Sequence, residues 1–172
     1  YEVGKTRLEA MAEVEESADL LRYYAERLES HRGYRRPLAR MSPDEATESV
    51  LLPYGVWAVV SPFNFPSALA AGMIAGALLG GNTVVFKPAI DAPVSGELLC
   101  EALWASGVPR DALQLVHGPG SSVGAALLAD PRIAGVAFTG SSAVGMQIVR
   151  NVGNGALDLA ARQGPRPVVV EM

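Results

Sequence analysis

The sequence predicts an α/β fold, a parallel sheet with helices on both faces, preceded by one long N-terminal helix. Three observations predict it. From residue 54 onward, short valine-rich runs alternate with helix-like stretches. Those runs are continuously apolar, as strands covered on both faces are. Residues 2–30 instead repeat apolar positions every three or four residues, the period of an amphipathic helix.

The elements follow in order. In the long helix, Leu8, Met11, Val14, Ala18, Leu21, Ala25 and Leu28 form the apolar face, and Glu and Arg fill the other. Tyr1 sits at its edge. Residues 31–53 are a connection or hairpin, polar and carrying two prolines between residues 33 and 49. Its basic run, HRGYRR, reads as a solvated helix end. Strands are expected at residues 54–60, 83–86, 113–116, 133–138 and 167–171. Helices are expected at 67–79, 94–106, 123–129 and 143–152. The sheet occupies residues 54–172.

Bulk properties narrow the function classes. The chain has 172 residues, 49% hydrophobic and 19% charged, enough for one domain with a core. A net charge of −4 gives no basic face for nucleic acid or an anionic membrane. Residues 55–86 carry no charge, but prolines and Gly80-Gly81-Asn82 divide the run. The intact part, 67–79, is shorter than the ~20 residues that span a bilayer. One cysteine and two histidines exclude an internal disulfide and argue against structural zinc. A reducing, cytoplasmic location fits. Met172 follows Val168-Val169-Val170-Glu171, read as a buried strand, so the sequence reads as an excerpt of a longer chain.

Ligands of such sheets bind at the carboxyl ends of the strands. Gly118-Pro119-Gly120-Ser121-Ser122-Val123-Gly124 follows the third strand, one residue too long for a G-x-G-x-x-G fingerprint. It is a dinucleotide loop or a plain tight turn. Phe138-Thr139-Gly140-Ser141 ends a strand and opens a helix, where free N–H groups and the positive helix end attract phosphate. Lys87, just past a strand, reaches a ribose or phosphate, or read alone is a snorkelling surface lysine. In SPFNFP (residues 61–66) two prolines fix the backbone around Asn64. Its amide could donate to a developing oxyanion, or simply form an Asx turn. Glu171 ends a buried strand. Burial there would disfavour its ionised form and suit it to general base work, unless the strand ends and leaves it solvated.

In series, SPFNFP, GNTVVFKPA (81–89), GPGSSVG (118–124), FTGS (138–141) and VVVEM (168–172) resemble the aldehyde dehydrogenase superfamily. The resemblance spans residues 54–172 and implies a Rossmann-like cofactor-binding domain for NAD or NADP. It implies that Asn64 donates to the thiohemiacetal oxygen and that Glu171 activates the water that hydrolyses the thioester. Lys87 would bind the adenosine ribose. Ser141 and its helix would hold the pyrophosphate, with Val144 near the adenine and Gly120 and Gly124 shaping that side. Ser61, Pro62, Phe63, Ala89, Ile90, Phe138, Thr139 and Gly140 complete the expected cofactor set. The nucleophilic cysteine would lie in a later segment. Cys100, inside a helix, reads as a small core residue.

Phe63 stands where many members carry tryptophan. Ile90 stands where many NAD-preferring members carry a ribose-chelating glutamate. The N-terminal helix is similar to the branch of 1-pyrroline-5-carboxylate dehydrogenases, which oxidise L-glutamate γ-semialdehyde. Succinylglutamate semialdehyde is the second substrate expected. A dinucleotide-binding module without catalysis and a truncated product are the competing readings. The full-length protein would be a homo-oligomer acting on a small aldehyde, and residues 1–172 alone would be inactive.

Overall fold

The computed structural model describes residues 2–155 and 166–172. Tyr1, expected at the helix edge, lies outside them. The first helix, α1, runs Arg7–Ser30 and starts five residues later than expected. Thr6 sets the start: its hydroxyl accepts from Glu9 N, while Glu9 carboxylate accepts from Thr6 N. The connection expected at 31–53 holds an antiparallel pair, β1 (Arg35–Pro37) with β2 (Glu48–Val50). The run His31 to Arg36 is solvent-exposed apart from Tyr34, as expected, but only His31 caps the helix and Arg35 and Arg36 belong to β1.

Then follow β3 (Val56–Val60), α2 (Ala68–Leu79), β4 (Thr83–Lys87), α3 (Pro93–Ala105) and β5 (Leu113–Leu115). After them come α4 (Ala125–Ala129), β6 (Ile133–Thr139), α5 (Ser142–Gly155) and β7 (Val168–Glu171). The five strands β3 to β7 pair in parallel in the order β5-β4-β3-β6-β7. Renumbered from β3, that is 3-2-1-4-5, the order of a dinucleotide-binding sheet.

Neighbouring residues on one strand face different cores. Val59 joins Ile74, Phe86, Leu99 and Leu113 beneath α2 and α3. Ala58 joins Val136, Phe138, Ile148 and Val152 on the other face, beneath α5. This alternation is why the strands read as continuously apolar. Asn82 closes the turn into β4: its side-chain oxygen accepts from Tyr54 N and Gly55 N at 2.7 and 3.1 Å. Gly55, with φ +126°, starts β3 two residues later than expected.

Cys100 is fully buried in the first core, as expected. Burial first, and then the Glu97 charge, push its thiol up to about 11. Native protein at neutral or mildly alkaline pH is therefore expected to leave Cys100 unlabelled by thiol reagents. Unfolding should expose Cys100 to the reagent, and rapid labelling of Cys100 in the native state would contradict the packing.

The face that α1 buries differs from the one expected. Leu8, Met11 and Val14 are exposed, whereas Glu13 and Ser17 are buried. The cause is the neighbour. Neither α2 nor α3 has a side-chain cap of its own. The N-terminal segment supplies both: Glu13 accepts from Ser67 N and Ala68 N, and Glu2 from Val94 N and Ser95 N. Caps of this kind each stabilise by about 0.5–2 kcal/mol. Polar residues of α1 thus face inward near its start. Further along, Leu20 lies over Gly72, Tyr24 over Gly76, and Leu21 packs on the first core.

β7 also departs from expectation. Among the described residues it lies at the sheet edge, with Val169, Glu171 and Met172 exposed.

Candidate functional site

The strand order reverses at β3. From β3 the chain steps outward through β4 to β5, then returns to β6 on the other side of β3. Connections leaving β3 and β6 diverge, which opens a crevice at their carboxyl ends. A cleft of about 700 Å³ occupies that place. Ser61, Pro62, Phe63, Asn64 and Phe65 line it from the turn after β3, and Ala89 from beyond β4. Phe138, Thr139, Gly140 and Ser141 line it from the end of β6, Val144 from α5, and Glu171 from β7.

Each wall has a local cause. Pro62 and Pro66 bracket the turn, and Pro66 is buried. Asn64 is exposed, and its amide has no hydrogen-bond partner among the described residues. It is free to donate into the cleft. Ser61 is 4% exposed, and its hydroxyl also lacks a partner among the described residues. On the opposite wall, Gly140 N donates to Glu171 O at 3.2 Å, tying β7 to the start of α5. Thr139 hydroxyl donates to Glu171 Oε2 at 3.2 Å and so orients the carboxylate. A helix leaves its first N–H groups without intrahelical acceptors, and α5 begins at Ser142 beside Gly140 and Ser141.

The aldehyde dehydrogenase family model matches residues 1–170. The chain belongs to that family. It is 38% identical over 170 residues to the bifunctional protein PutA of Klebsiella aerogenes, covering 99% of this chain and 12% of that one. It is 40% identical over 153 residues to a 2,5-dioxopentanoate dehydrogenase of Saccharolobus solfataricus, covering 89% and 32%. A structure of 1-pyrroline-5-carboxylate dehydrogenase from Thermus with bound NAD superposes with a TM-score of 0.90. Its identity is 38%, over 100% of this chain and 33% of that one. The chain thus spans a third or less of these relatives.

Four of the residues expected in a dehydrogenase cofactor set, Lys87, Ile90, Gly120 and Gly124, do not line the cleft. Lys87 and Gly124 lie together beside it. Lys87 is no snorkelling surface residue: it is 3% exposed, and its Nζ donates to Pro88 O at 2.8 Å. Burial lowers its pKa from the ordinary lysine range. A Cβ added at Gly124 would lie 3.6 Å from Lys87 Cε. Two further protons of the ammonium remain for a ligand hydroxyl or phosphate. The long glycine spacing is absorbed by a π-turn, Gly120–Gly124, in which Gly124 N donates to Pro119 O at 3.2 Å. The helix expected at 123–129 starts only after it. Ile90 is exposed and points no carboxylate at the site.

Among the described residues Glu171 is exposed, not buried as the strand pattern suggested. Glu16 is the residue that sequence reasoning missed. It lies on the solvated face of α1, as its sequence position suggests, and also lines the cleft with Asn64 and Phe65. Only the docking of α1 on α2 turns it there.

Proposed function

We propose that the chain is the cofactor-binding part of an NAD- or NADP-dependent dehydrogenase oxidising L-glutamate γ-semialdehyde to glutamate. The observation that carries it is the convergence of Asn64, Glu171 and the start of α5 on one cleft. Lys87 beside Gly124 fits an adenosine ribose, and the N-terminus of α5 fits a pyrophosphate. Bound cofactor supplies the hydride acceptor. A cysteine from a later segment attacks the aldehyde, and Asn64 donates to the oxygen that becomes negative. Glu171, held by Thr139, takes the proton from the water that hydrolyses the thioester. The only cysteine here, Cys100, is buried. Residues 1–172 alone are therefore expected to show no turnover. The β1–β2 pair has open strand edges suited to association between copies in a cytoplasmic homo-oligomer.

Glu16 supports the substrate. Glutamate γ-semialdehyde carries an ammonium where 2,5-dioxopentanoate carries a ketone. A carboxylate in the cleft favours the former. Glu16→Gln in the full-length enzyme is expected to raise KM for the amino aldehyde about tenfold relative to 2,5-dioxopentanoate, a loss on the scale of one charge-assisted hydrogen bond. The deciding test compares kcat/KM of the full-length protein for both compounds and for simple aliphatic aldehydes. Preference for 2,5-dioxopentanoate would sink the substrate assignment. NAD(P) binding without turnover of any aldehyde would reduce the protein to a binding module.

A further inference from the structure

We propose that Glu13 is a positioning residue for Asn64, acting through the start of α2 with Lys5 as its counter-ion; this rests on Asn64 being the oxyanion donor. Ser67, the N-cap of α2, has helical backbone angles and makes no side-chain cap. Its hydroxyl is taken by Ser17, at 2.9 Å between the two Oγ atoms. Glu13 fills the place from outside. Its Oε1 accepts from Ser67 N at 2.7 Å and from Ala68 N at 3.2 Å. Its Oε2 pairs with Lys5 Nζ at 2.6 Å. The same ammonium lies 3.4 Å from the centroid of the Phe65 ring.

The turn that carries Asn64 is thereby gripped just beyond the asparagine. Lys5 holds Phe65, the next residue, from one side. Glu13 fixes Ser67, where the turn becomes helix, and the positive end of α2 favours its charge. Glu13 is 5% exposed, and a buried ion pair is a costly way to pack two helices. An apolar pair would hold α1 to α2 without desolvating two charges. What the ion pair adds is direction. The carboxylate sets the residue at which α2 begins, and that sets where the rigid turn places its amide.

The test uses the full-length enzyme. Glu13→Gln keeps an acceptor for the two N–H groups and removes the charge that holds Lys5. Lys5→Met keeps the cap and removes the cation from Phe65. Each is expected to lower kcat about tenfold with KM for the cofactor unchanged, because small displacements of a catalytic group are costly. In an Asn64→Ala background each loss should shrink to less than about twofold, since the group being positioned is gone. Equal losses in both backgrounds, or a lower Tm with kcat intact, would overturn the proposal. If Glu13→Gln does not fold, the Lys5→Met measurements decide on the same terms. If Asn64→Ala alone leaves kcat unchanged, the fault lies in the reading of Asn64, and the result separates the two failures.

Discussion

Replacing Asn64 by alanine in the full-length dehydrogenase is expected to lower kcat by on the order of 10²-fold or more. The reasoning starts from rigidity. An oxyanion donor helps only if it is aimed before charge develops, so that nothing reorganises during the reaction. Residues 61–66 meet that condition with two prolines, a buried Pro66, and a helix start fixed from α1. The amide itself is left without a partner among the described residues, so no internal bond must break before it donates. Loss of the donor acts on the transition state more than on the bound substrate. KM for the aldehyde should therefore change little while kcat falls. Steady-state kinetics with saturating cofactor measure both, and an unchanged kcat would remove Asn64 from the mechanism.

The parts of this site that were legible in the sequence are those written in local chemistry. Proline around Asn64, glycine before Ser141 and valine runs before each loop specify a turn, a helix start and a strand wherever they occur. Their order then implied the parallel sheet. The parts that were not legible depend on which element meets which. Glu13 and Ser17 look like the solvated face of α1, yet they are buried because α2 lacks a cap of its own. Leu8, Met11 and Val14 look like core at the same helical period, yet are exposed. Val168 to Val170 read as doubly buried, but edge position follows from sheet order, which residue composition does not state. Lys87 is the reverse case. Its sequence context suits a surface lysine, and only its place between Ser61 and Gly124 buries it.

Glu171→Gln is expected to slow thioester hydrolysis by on the order of 10²-fold, the usual worth of a positioned general base. Glutamine keeps the shape and can still accept from Thr139, so the wall between β7 and α5 stays in place. What it loses is the ability to take a proton from water. In the proposed reaction acylation and hydride transfer precede that step. The variant should therefore form NADH rapidly in an amount close to one per active site, then turn over slowly. Rapid mixing followed by NADH absorbance displays both phases. Position is what the structure supplies: the Thr139 hydroxyl aims one oxygen, and the Gly140 N–H to Glu171 O bond fixes its backbone at the mouth of the cleft. Thr139→Val, which deletes the aiming hydroxyl at nearly constant volume, should then slow the steady state in the same direction and leave the burst rate as it was. A variant pair in which Glu171→Gln shows wild-type steady-state turnover would assign the water-activating role to another group.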